Sequence, residues 1–180
     1  MIILTLISLV LAVSFTGIAM IRLKSIPESV SSLVYVFKNR WLWTVWLWTT
    51  SLLTFIPVIG ILSRSGMGFL GFGVMACLMF CGAVPLFDKD NEDMHWITGT
   101  AGCILSQICV WFIEAQWLGV WMPCLFLIGA GYVQPEGWLG RATKGKAVFL
   151  AESACYLSQT GSMLLRYFSD TGLTGLTDLF

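Results

Sequence analysis

The run IILTLISLVLAVSFTGIAMI, residues 2–21, carries no charged side chain. An α-helix rises ~1.5 Å per residue, so a run of this length reaches across a hydrocarbon layer of about 30 Å. It lacks the features of a cleaved leader. No positive residues precede it, no small-x-small site ends it, and its charges, Arg22 and Lys24, come after it. The reading is a retained membrane helix.

The whole chain follows that pattern. Its 180 residues are 57% hydrophobic and only 11% charged, with a mean hydropathy of +0.83. Soluble domains carry about 25% charged residues, so lipid is the expected solvent. Net charge is zero and no basic stripe occurs, which excludes nucleic acid as a partner. Further apolar runs lie at residues 41–62, 67–87, 95–115, 117–133 and 147–167. The expected architecture is therefore all-α: one integral membrane domain over residues 1–180, a bundle of about six transmembrane helices, and a flexible Thr/Gly-rich tail at 169–180. Trp41 and Trp43 suit interfacial anchors, whereas Trp46 and Trp48 sit ~8–10 Å deeper and face a neighbouring helix or a cavity. In the third run, Gly66, Gly73, Cys77, Cys81 and Pro85 recur at helical spacing. Small residues let backbones approach, so this helix is expected at the centre.

Between the first two runs lies SIPESVSSLVYVFKNR, residues 25–40. Ile26, Val30, Leu33, Val34 and Phe37 share one helical stripe, and Ser25 with Glu28 fits a capping box around Pro27. Too polar to span, the segment is expected to lie as an in-plane amphipathic helix. Six spans gather Arg22, Lys24, Lys38, Arg40, Lys89, Arg141, Lys144 and Lys146 on one side and leave Arg64 and Arg166 on the other. The positive-inside bias then places both termini of this multi-pass protein outside the cytoplasm.

Polar chemistry is sparse. DKDNEDMH, residues 88–95, offers Asp88, Asp90, Asp93 and the sole histidine, His95, as candidate catalytic groups. The spacing starts like a calcium loop, but its sixth position is Asp93 instead of glycine and its twelfth is Gly99 instead of glutamate. One histidine does not make a zinc site, so neither metal nor cofactor is expected. Carboxylates here serve the positive end of the following helix. The six cysteines lie in apolar runs, without a C-x-x-C, as packing residues.

A second pattern repeats. Cys103–Gln107 reads CILSQ and Cys155–Gln159 reads CYLSQ. In six spans these helices are parallel and place Ser106, Gln107, Ser158 and Gln159 near mid-membrane, where the two glutamines are the cheapest partners for each other. Glu152, Tyr156 and Gln159, at i, i+4 and i+7, form a polar stripe, with Thr100 at matching depth on the other helix. An intramembrane carboxylate faces a cavity or a partner; His95, Lys144 and Lys146 are the candidates to pair with Glu152.

The favoured functional expectation is non-enzymatic. A pocket between spans four and six, lined by Glu152, Gln159, Ser158, Tyr156, Ser106, Gln107 and Thr100, binds or passes a small solute, proton or lipid headgroup. One alternative is a membrane-embedded hydrolase or transferase that uses residues 88–95 at the cytoplasmic leaflet. Another is a structural or accessory subunit that meets a membrane partner, or a second copy, through its helices.

Overall fold

The computed structural model describes residues 1–37, 39–84 and 92–171. Within them the chain is all-helical: α1 (Ile2–Leu23), α2 (Leu33–Phe37), α3 (Arg40–Leu62), α4 (Gly68–Ala83), α5 (Glu92–Ile113), α6 (Ala115–Val133), α7 (Trp138–Thr143) and α8 (Ala147–Asp170). Asn39 starts α3 by accepting hydrogen bonds from the Trp41 and Leu42 N–H groups at 3.0 and 3.3 Å. Lys24 stops α1 in the left-handed region, at φ 54°. α3 runs through Pro57 and α6 through Pro123. α7 falls between the apolar runs at 117–133 and 147–167. α8 extends to Asp170, into the expected tail, whose residues beyond 171 lie outside the described ones.

Among the described residues four helices are long and apolar enough to cross a membrane: α1, α3, α5 and α6. α4, at 16 residues, is apolar but short. α8 has 24 residues but carries Ser153, Ser158, Gln159, Thr160 and Ser162. The two differ in what they pack against. Small residues mark α4 as the expected central helix, but α4 packs between α3 and α5, whereas α8 touches α1, α3, α5 and α6. Ser158, Gln159, Thr160 and Ser162 are all buried. The apolar surface faces outward instead: Ile3, Val10, Phe126 and Val133 are 66%, 62%, 74% and 76% exposed.

Side chains of α3 fasten its neighbours through backbone carbonyls. Trp46 Nε1 donates to Leu11 O on α1 at 3.2 Å, Trp48 Nε1 to Met79 O on α4 at 2.9 Å, and Thr44 Oγ1 to Gly82 O at 2.8 Å. Glycine is needed where these groups meet. A Cβ on Gly82 would lie 2.9 Å from the Trp48 indole, and one on Gly71 would lie 2.7 Å from Ile59. Phe55, Val58, Leu62, Val74, Cys109, Ile113 and Met163 close the apolar core at that end.

Residues 25–40 do not form one in-plane helix. Among the described residues 25–37 only Leu33–Phe37 is helical, and Pro27, Ser29, Ser31, Leu33 and Val34 are buried against the bundle. The serines account for the change. Ser32 N–H donates to Ser29 Oγ at 3.1 Å and Ser32 Oγ to Ser29 O at 2.7 Å, a local turn that competes with the helix. The Phe149 N–H, at the open start of α8, donates to Glu28 O at 3.1 Å. Trp43 is likewise no interfacial anchor: it is 1% exposed, and its Nε1 donates to Val30 O at 3.2 Å.

Replacing Gly71 by leucine should destabilise the detergent-purified protein by about 1–3 kcal/mol through overpacking at Ile59. Gly119→Leu, where an added Cβ meets nothing within 4 Å, serves as the control. Thermal melting curves that shift equally for the two variants would refute this packing.

Candidate functional site

A cavity of about 470 Å³ lies among α1, α3, α4, α5 and α8, with Val30 and Ser31 across one part of it. Most of its wall is aliphatic or aromatic, with Leu9, Leu47, Leu78, Phe55, Trp43 and Phe149 among the contributors. Only Val13 on α1 and Leu157 on α8 are exposed members of that wall, so the opening lies between these two helices.

The polar part of the wall comes chiefly from α8. Glu152, Tyr156 and Gln159 follow one another along its inner face, as the i, i+4, i+7 spacing requires. Each is bound differently. Glu152 Oε2 accepts the Val30 N–H at 2.6 Å. The Tyr156 hydroxyl lies 2.8 Å from Ser8 Oγ, which is itself 2.7 Å from Thr54 Oγ1 and donates to Thr50 O at 3.1 Å. The Gln159 carboxamide is 1% exposed, yet neither its nitrogen nor its oxygen has a hydrogen-bond partner among the described residues. A buried polar group left in this state costs about 1–3 kcal/mol.

Other expected site residues go elsewhere. Ser106 lines the same cavity. Gln107 faces a second cavity of about 530 Å³ between α5, α6 and α8, and its Nε2 donates to Ser106 Oγ at 3.1 Å and Cys155 O at 3.3 Å. The two glutamines thus do not pair with each other. They point to opposite sides of a partition, and Cys103 and Cys155 line both cavities. The Ser158 carbonyl accepts the Trp117 Nε1–H of α6 at 3.0 Å, and its buried hydroxyl has no partner among the described residues. Thr100 is exposed and lines neither cavity.

Two of the partners expected for Glu152, Lys146 and His95, are engaged elsewhere. Lys146 Nζ lies 3.9 Å from Glu28 Oε1. His95 is buried, with Nδ1 2.6 Å from Val84 O and 3.2 Å from Cys81 O, so its ring serves the carbonyls at the end of α4. Val30 takes their place because the serine turn leaves its N–H pointing at α8. Asp88 and Asp90 lie outside the described residues. Glu92 and Asp93 sit in the first turn of α5, where carboxylates favour the helix dipole. Among the described residues no three His, Cys, Asp or Glu side chains are grouped to hold a metal ion.

The hydroxyl row is a part of the site that the sequence expectations lack. Thr50, Ser51 and Thr54 recur on one face of α3, and Ser8 interrupts α1 within an otherwise apolar stretch. That spacing is the signal the sequence carries for it. The Val30–Glu152 bond has none, because a backbone donor has no side-chain signature. Comparison with protein-family models, curated proteins and solved structures yields no match.

Glu152→Ala should speed hydrogen exchange at the Val30 amide roughly two- to tenfold, since a hydrogen bond contributes about 0.5–1.5 kcal/mol. Glu152→Gln, which keeps an acceptor oxygen, should change it far less. Equal exchange in the native protein and Glu152→Ala would show that Glu152 does not hold the segment.

Proposed function

We propose that this chain is a non-enzymatic, multi-pass membrane protein that binds a small amphiphile in the cavity beside α8. The observation that carries the reading is Gln159: a carboxamide 1% exposed, on the cavity wall, with both polar atoms unpartnered among the described residues. A ligand bearing a hydroxyl, ester or amide would satisfy it, while the aliphatic and aromatic wall takes the apolar part. Buried polar groups aimed into an apolar pocket are the usual arrangement for orienting such a ligand. The opening between Val13 and Leu157 would admit it from the lipid phase.

In this reading α1, α3, α4, α5, α6 and α8 all cross the membrane. The polarity of α8 is no obstacle, because α1, α3, α5 and α6 surround it. α4 spans ~24 Å at 1.5 Å per residue, a mismatch that local thinning accommodates. Both termini then lie outside the cytoplasm. Single-cysteine labelling in intact membranes should find Lys144→Cys and an added amino-terminal cysteine reactive from opposite sides; labelling from the same side rules out six spans.

Binding is tested with 11-bromoundecanol, a neutral amphiphile whose bromine isotope doublet marks a bound molecule in native mass spectrometry. One equivalent should bind the purified chain. Gly17 lines the cavity and an added Cβ there would meet nothing within 4 Å, so Gly17→Phe combined with Ala12→Phe fills the space. That variant should lose the bound alcohol. Absence of binding to the native protein, or undiminished binding to the filled variant, would contradict the reading.

A further inference from the structure

The polar end of the cavity is built around one residue. Val30 gives its N–H to Glu152 and its carbonyl to the Trp43 indole N–H, at 2.6 and 3.2 Å. This places a carboxyl and an indole ring on the same stretch of wall, one from α8 and one from α3. Glu152 is the sole charged side chain among the described lining residues. The basic residue that precedes α8, its N-cap Lys146, lies 3.9 Å from Glu28 Oε1. A carboxylate in an apolar enclosure with no cation beside it is costly, and a bound cation removes that cost. An adjacent indole adds to the attraction for an ammonium group.

Building on the amphiphile-binding reading, we propose that the cavity selects amphiphiles with a positively charged head, a primary amine or quaternary ammonium, which sits between Glu152 and Trp43 with its hydrocarbon part along α1 and α3. Gln159 lies two turns further along α8, ~10 Å away by helical rise. It therefore contacts a hydrogen-bonding group along the ligand, and not its charged head.

The test uses the full chain in zwitterionic nanodiscs and three probes of one chain length: 11-bromoundecyl-trimethylammonium, 11-bromoundecanol and 11-bromoundecanoate. Saturable quenching of tryptophan fluorescence by bromine reads out binding. The native protein should bind the cation about tenfold or more tightly than the alcohol, and the carboxylate most weakly, as expected for a charge-assisted contact. Glu152→Gln, which keeps an acceptor for Val30, should bring the cation-to-alcohol ratio close to one with alcohol binding retained. The native ranking decides the charge preference even without the variant. If the alcohol binds and the cation gains nothing over it, or if Glu152→Gln leaves the ratio unchanged, the proposal is overturned while the amphiphile reading stands. If none of the three shows saturable quenching, the amphiphile reading itself fails.

Discussion

Hydrocarbon cannot solvate the row Ser158, Gln159, Thr160 and Ser162, and the architecture follows from that constraint. In a membrane-crossing α8 these residues would need protein on every side, because an unpartnered polar group in lipid costs several kcal/mol. α1, α3, α5 and α6 supply the enclosure. Two of the four, α1 and α6, show most of their surface outward. Trp117 closes the α6 side by donating to Ser158 O, with its ring lying where a Cβ on Gly161 would come within 2.8 Å. Two of the hydroxyls follow the same logic. Ser162 donates to Gln159 O and Thr160 to Tyr156 O, at 2.8 and 3.0 Å, so these polar side chains are satisfied within the helix. Gln159 is too long for that solution, and its carboxamide reaches the cavity wall.

The start of α8 poses a second problem, since the first N–H groups of a helix have no partner inside it. The segment between α1 and α3 answers part of it with Glu28 O, and in the same place Glu152 receives the Val30 N–H. Each element thus supplies what the other lacks. This exchange explains why residues 25–32 are drawn against the bundle instead of lying as an amphipathic helix. Val30 also accepts the Trp43 indole N–H, so Trp43 and Glu152 share one backbone partner on the cavity wall. A structural requirement of the helix terminus therefore brings a carboxyl and an aromatic ring to one end of an apolar cavity.

Much of this architecture is legible in the amino-acid sequence. Continuous apolar runs mark α1, α3, α5 and α6 because length and hydropathy alone define a crossing helix. The stripe Glu152, Tyr156, Gln159 follows from helical periodicity, and the three do line one cavity. What the sequence does not reveal depends on rotation about a helix axis and on backbone donors. The C-x-L-S-Q echo places Gln107 and Gln159 at equal depth, but depth does not say which way each points, and they face separate cavities. The glycines of α4 suggest a central helix, but close approach to α3 and α5 alone already requires them. His95 stands out as the only histidine, yet its ring is taken up by main-chain carbonyls at the end of α4.

The enclosure of α8 is the claim on which the cavity depends. It is tested most directly by photolysis of an apolar carbene precursor dissolved in the bilayer around the intact protein, with modified residues located by peptide mass spectrometry. The account predicts labels on Ile3, Val10, Phe126 and Val133 and none on residues 158–163. Modification across residues 158–163 at a level like that on α1 would place α8 against lipid and contradict it.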